Sequence, residues 1–150
     1  MSDQATAKVL LYSDDRTVRE QVRLTLGTRL ASDLPQLDVL EVATQAVVLQ
    51  TMDAGGIDLV ILDGEATPFG GMGLAHQLKD EIADCPPILL LVARVADAWL
   101  ATWSKADGVS SYPVDPVRLP TLAADLLRAR LTGSTPGTVE TTSADGAEAS

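Results

Sequence analysis

The chain has 150 residues and a mass of 15.8 kDa, with 46% apolar and 21% charged types, enough for one domain with a buried core. Eleven Lys and Arg face 21 Asp and Glu, and the formal net charge of −10 argues against a surface for nucleic acid or anionic lipid. One cysteine, Cys85, excludes an internal disulfide, and neither a signal peptide nor a run long enough to span a membrane is visible, so a cytoplasmic location is expected.

Residues 1–7 read as an extension before the first apolar run, VLLY (Val9–Tyr12). Short, continuous apolar runs bounded by polar residues, Pro or Gly fit strands buried on both faces of a parallel sheet. A helix follows over Arg16–Leu30, where Val18, Val22, Leu26 and Leu30 recur every four residues and Ser13 or Asp15 can cap the start. LDVLEV (Leu37–Val42) is a weaker strand, and Thr44–Met52 is a second helix closed by Gly55-Gly56. IDLVIL (Ile57–Leu62) is the third strand. The helix after it, Gly71–Ala83, carries Leu74, Leu78 and Ile82 on one stripe. ILLLV (Ile88–Val92) is the fourth strand, Asp97–Lys105 the fourth helix and GVSSY (Gly108–Tyr112) the fifth strand. The last helix is Pro116–Leu131, with Pro116 in its first turn and Leu119, Leu122 and Leu126 on one face. Five strand–helix alternations predict an α/β fold, a doubly wound five-stranded parallel sheet with five helices. The domain is expected to span 8–131. Residues 132–150 read as a disordered tail; their Glu140, Asp145 and Glu148 account for three of the ten net negative charges.

In such sheets ligands bind beyond the carboxyl ends of the strands. Two strands here end in acids: Tyr12-Ser13-Asp14-Asp15 and Leu62-Asp63-Gly64-Glu65. If the two strands are neighbours, Asp14, Asp15 and Asp63 converge on one patch, and a hard divalent cation relieves the repulsion between them. The expectation is an acidic Mg²⁺ pocket with Asp63 at its centre. A carboxylate placed there can also act as a nucleophile toward a phosphoryl group.

At these residues the chain resembles the receiver domain of bacterial two-component response regulators (CheY-like). The likeness runs from about Lys8 to Leu131. It rests on the acids after the first strand, VILDGE ending the third, Gly71 eight residues beyond Asp63, and GVSSYPVDP in place of the segment that ends in Lys-Pro. It implies a flavodoxin-like fold of strand order 2-1-3-4-5. It also implies Asp63 as phosphoacceptor, and Asp14, Asp63 and the backbone carbonyl of Glu65 as metal ligands, with Asp15 a further candidate. The departures matter as much. Ser13 stands where the family has its first acid, and Thr67-Pro68 displaces the usual proline. Val92 replaces the hydroxyl residue that ends the fourth strand, Tyr112 replaces the Lys, and the aromatic switch position holds Val109. The resemblance therefore implies a non-enzymatic atypical receiver, or pseudo-receiver. It would stand alone and act through protein contacts, with a histidine kinase or small phosphodonor as phosphate source.

Trp99 and Trp103 lie four residues apart on the fourth predicted helix. In receivers, the face of the fourth helix, fifth strand and fifth helix is the partner surface, so the two tryptophans are either a contact for an unknown protein target or a cover for the core edge. His76 reads as a solvated helix residue and Cys85 as a packed thiol. Two other functions remain open. One is a phosphorylation-independent interaction module with a vestigial acid pocket. The other is a phosphotransferase, because DGEAT (Asp63–Thr67) resembles the DxDxT motif of haloacid dehalogenase-like enzymes, although the order of the acidic clusters is reversed.

Overall fold

A computed structural model describes residues 6–66, 70–93, 105–111 and 113–132. Five strands, β1 (Thr6–Tyr12), β2 (Gln36–Val42), β3 (Leu59–Asp63), β4 (Ile88–Val92) and β5 (Gly108–Ser111), form one sheet in the order β2-β1-β3-β4-β5. Every neighbouring pair is parallel. Four helices are described: α1 (Arg16–Leu26), α2 (Gln45–Ala54), α3 (Gly71–Glu81) and α4 (Arg118–Thr132). This is the expected doubly wound architecture and strand order, with four described helices rather than five. The helix expected over 97–105, with Trp99 and Trp103, lies outside the described residues, apart from Lys105. That residue has φ 65, a left-handed conformation in which a helix does not continue. Residues 1–5, Thr67, Pro68, Tyr112 and the tail beyond Thr132 also lie outside them.

All five residues of β3 and of β4 are buried, which explains their unbroken apolar runs. Alternate side chains serve two cores. Leu10, Tyr12, Val60, Leu62 and Leu90 pack with Val48 and Met52 of α2 and Leu74 and Leu78 of α3. Val9, Leu11, Leu59, Ile61, Leu89 and Leu91 pack on the other face with Val22 and Leu26 of α1 and Leu119, Leu126 and Leu127 of α4. Each fully buried Leu or Ile contributes about 1.5–3 kcal/mol, so the three central strands dominate the stability.

The ends of the helices differ from their periodicity. The stripe in α1 points to Leu30, but the helix stops at Leu26 because Gly27 takes φ 70 and its N–H closes on Arg23. Leu30 still packs on the core, from the loop. Likewise α3 ends at Glu81, and Ile82 is its extended cap. Among the described residues no helix is long and apolar enough to cross a membrane.

Gly71 brings α3 against the end of β3. A Cβ on Gly71 would lie 2.7 Å from the carbonyl oxygen of Asp63 and 2.9 Å from Cβ of Leu62, whereas one on Gly73 would meet nothing within 4 Å. Gly71→Ala is expected to destabilise the fold by about 1–3 kcal/mol in chemical denaturation. Gly73→Ala should be neutral or stabilise by up to about 1 kcal/mol, through helix propensity alone. Equal midpoints for the two variants would contradict the close approach.

Candidate functional site

The parallel pairing of β1 with β3 sets Tyr12 opposite Leu62, so the acids that follow each strand emerge side by side. Asp63 is only 3% exposed and Ser13 is fully buried. The Ser13 hydroxyl donates to Oδ2 of Asp63 at 2.7 Å, and its oxygen accepts the N–H of Asp15 at 3.0 Å. A serine has one proton to give, so with Asp15 N–H donating to its oxygen, that proton is directed at Asp63. The other carboxylate oxygen, Oδ1, accepts the N–H of Glu65 at 2.9 Å, and the Asp63 carbonyl accepts from Ala66 N–H. Two neutral donors thus satisfy a carboxylate that burial would otherwise penalise.

The β1–α1 loop that presents Ser13 is pinned from both sides. Ser13 N–H donates to the Val42 carbonyl at the end of β2, and Arg19 Nη1 donates to the Ser13 carbonyl at 2.6 Å. Arg19 Nε also reaches Glu41, which Arg23 holds as well. Neither Arg19 nor Glu41 stands out in the sequence; on periodicity they are two more polar positions, and only the fold brings them together.

The three acids expected to converge separate into two roles. Asp14 is exposed: burial first, then the charges of Asp14 and Asp63, push the Tyr12 phenol above its ordinary range, so both carboxylates act on one hydroxyl. Asp15 turns away. Its Oδ1 accepts the N–H of Thr17 at 2.8 Å as the N-cap of α1, and this common use of Asp removes it from the acid pair. Among the described residues no three His, Cys, Asp or Glu side chains form a group able to hold a metal ion.

Around this pair, Glu65 projects to the next loop, where its Oε2 accepts the N–H of Ala93 at 3.3 Å. Val92 is fully buried and brings no hydroxyl to the crevice, and Val109 is half-buried against the α2–α3 core. Tyr112 lies outside the described residues. His76 is paired with Asp80 at 3.5 Å, and Cys85 is packed on the core, where burial raises its thiol pKa. A cleft of about 620 Å³ between α1 and β2, lined by Arg16, Arg23, Leu24 and Asp38, includes neither Ser13 nor Asp63.

No protein-family profile matches the chain. Two uncharacterized response regulatory proteins of Mycobacterium tuberculosis, MT3230 of strain CDC 1551 / Oshkosh and Rv3143 of strain H37Rv, are each 56% identical to it over 130 residues. The match covers 86% of this chain and 98% of each relative. The chain belongs to the response-regulator family. Solved structures agree on the fold. The CheY-like response regulator receiver domain protein of Methanospirillum hungatei JF-1 superposes with TM-score 0.66 at 14% identity, over 87% of this chain and all of that one. Chemotaxis response regulator CheY4 of Vibrio cholerae gives 0.67 at 21%, over 81% and 99%. The protein is thus a receiver of two-component signalling, with the acids of its β1 and β3 loops at the carboxyl end of the sheet.

The charges around Tyr12 give this receiver a spectroscopic handle. The raised folded-state pKa means the native protein holds the phenolic proton longer than the unfolded chain, so this group's contribution to stability falls as pH climbs past about 10. In a tyrosinate absorbance titration, one of the two tyrosines should ionise late, and Tyr12→Phe should remove that step. Asp14→Asn should move the step to lower pH by removing one of the opposing charges. A step unmoved by Asp14→Asn would contradict the proximity of the two groups.

Proposed function

We propose that the protein is an atypical receiver in a phosphorelay, with Asp63 as the phosphoacceptor and protein contacts as its output. The observation that carries this reading is the buried carboxylate at the end of β3, held by Ser13 and Glu65 N–H at the carboxyl edge of the sheet. An oxygen of Asp63 would attack the phosphorus of a phosphohistidine on a kinase, or of a small acyl phosphate. The bond to the donor nitrogen or oxygen breaks, and its electron pair leaves with the donor. The receiver domain in this reading is 8–131, flanked by the extension 1–7 and the tail 132–150. The matched segment makes up 98% of each mycobacterial relative. With no nucleic-acid surface expected at this charge, output through a protein target follows, in the cytoplasm.

The oxygen donors at these strand ends are of the hard kind that Mg²⁺ takes. Asp14 and Asp63 would supply two carboxylates, which already act on the same phenol, and the Glu65 carbonyl a third oxygen, beside the waters Mg²⁺ keeps. When bound, the ion would offset negative charge on the transferring phosphoryl group. Asp14 and Asp63 would hold it, and Ser13 would orient Asp63. The chain's other substitutions lower its catalytic power. Without a hydroxyl at Val92 or an ammonium at Tyr112, the site lacks donors whose removal one at a time costs about 3 kcal/mol in other enzymes. Slow modification and a weak switch follow.

Amide NMR of the full chain tests the reading. Mg²⁺ with beryllofluoride or acetyl phosphate should shift the amides of Asp63, Glu65 and Ala93, and Asp63→Asn should abolish the response. Silent amides, or an unchanged response in Asp63→Asn, would leave the phosphorylation-independent module. Steady turnover of a phosphate ester, rather than one stoichiometric event, would point to a phosphotransferase. A second variant addresses the metal. Ser13→Asp adds a carboxylate at the edge of the pair and should raise Mg²⁺ affinity at least about tenfold, a modest yield for one charge at contact distance. An unchanged affinity would remove Ser13 from the metal question.

A further inference from the structure

β3 and β4 run in register, with Asp63 opposite Leu91, so the loops beyond them leave the sheet side by side. Gly64 N–H donates to the Leu91 carbonyl at 2.7 Å, and a Cβ on Gly64 would lie 2.6 Å from that oxygen. Across this narrow gap Glu65 is used at both ends. Its N–H holds Oδ1 of Asp63, and its carboxylate holds the N–H of Ala93, the first residue beyond β4. Ala93 is exposed, and its N–H faces the Glu65 carboxylate.

Any anionic group carried on Asp63 needs hydrogen-bond donors in that crevice, and backbone N–H groups are the usual source. At Ala93 the donor is already taken by a carboxylate, which also repels an incoming anion. We propose that Glu65 is a positioning residue, a built-in anion that occupies the Ala93 N–H in place of a phosphoryl oxygen. It holds the Ala93 N–H in the unmodified protein and opposes an anion on Asp63. The first half stands on the contact itself; the second rests on Asp63 as acceptor. A side chain two residues from the acid would thereby occupy a donor next to Val92, which offers no hydroxyl of its own.

Glu65→Ala and Glu65→Gln separate these roles in the full chain at saturating Mg²⁺, read by amide NMR. With no phosphodonor present, Glu65→Ala should shift the Ala93 amide and speed its exchange with solvent at least threefold. Glu65→Gln keeps an acceptor oxygen and should hold that exchange within twofold of the unsubstituted chain. Both variants lose the charge, so both should bind beryllofluoride at least threefold more tightly. An Ala93 amide indifferent to Glu65→Ala overturns the proposal, and unchanged beryllofluoride affinity in both variants overturns its opposing role. If Ala93 responds as expected but no variant binds beryllofluoride, the hold on the Ala93 N–H stands and Asp63 as acceptor falls.

Discussion

An ionised carboxylate at the end of a strand that is apolar on both faces has to be hydrogen-bonded, and the loops around Asp63 are built to do that. β3 carries Leu59, Val60, Ile61 and Leu62 into two cores, and the chain then places Asp63 at 3% exposure. An unpartnered charge there would cost several kcal/mol. The Ser13 hydroxyl and the Glu65 N–H meet that demand with two short hydrogen bonds. Both donors are neutral, so the charge on Asp63 is solvated without being cancelled, a condition that suits a nucleophile or a cation ligand.

Close packing keeps those donors in place. Gly64 and Gly71 sit where a Cβ would strike the backbone of Leu91 and Asp63, so the β3–α3 turn can fold tightly around the acid. On the other side Arg19 ties the Ser13 carbonyl to Glu41, linking the β1–α1 loop to the end of β2. The site is thus held by strands β1, β2 and β3 together, and Asp15 caps α1.

Ser13 brings Asp63 a neutral hydroxyl rather than a charge. Two carboxylates, Asp14 and Asp63, bear on the Tyr12 phenol where a fuller acidic cluster would place three charges. The pocket is less repulsive without a cation and correspondingly less attractive to one. Glu65 adds a carboxylate on the far side, bound to the loop beyond β4. The sheet that carries these groups is the one expected of the response-regulator family.

The architecture was legible in the sequence because it depends on periodicity. Apolar runs at Val9–Tyr12, Ile57–Leu62 and Ile88–Val92 announce strands with both faces covered, and their alternation with helical stripes leaves few parallel topologies. The strand-end positions of Ser13, Asp14, Asp63 and Val92 were legible too, since they are a matter of chain order. Helix ends were less so: the stripe through Leu30 outlasts the helix, because one backbone torsion at Gly27 outweighs the spacing of side chains. The choice between capping and the acid pair at Asp15, the pairing of Ser13 with Asp63, and the reach of Glu65 to Ala93 were decided by tertiary structure alone. Each depends on a hydrogen bond between a side chain and one particular partner. Residue types set what a side chain can donate or accept, and only the packed loops set which partner lies within about 3 Å.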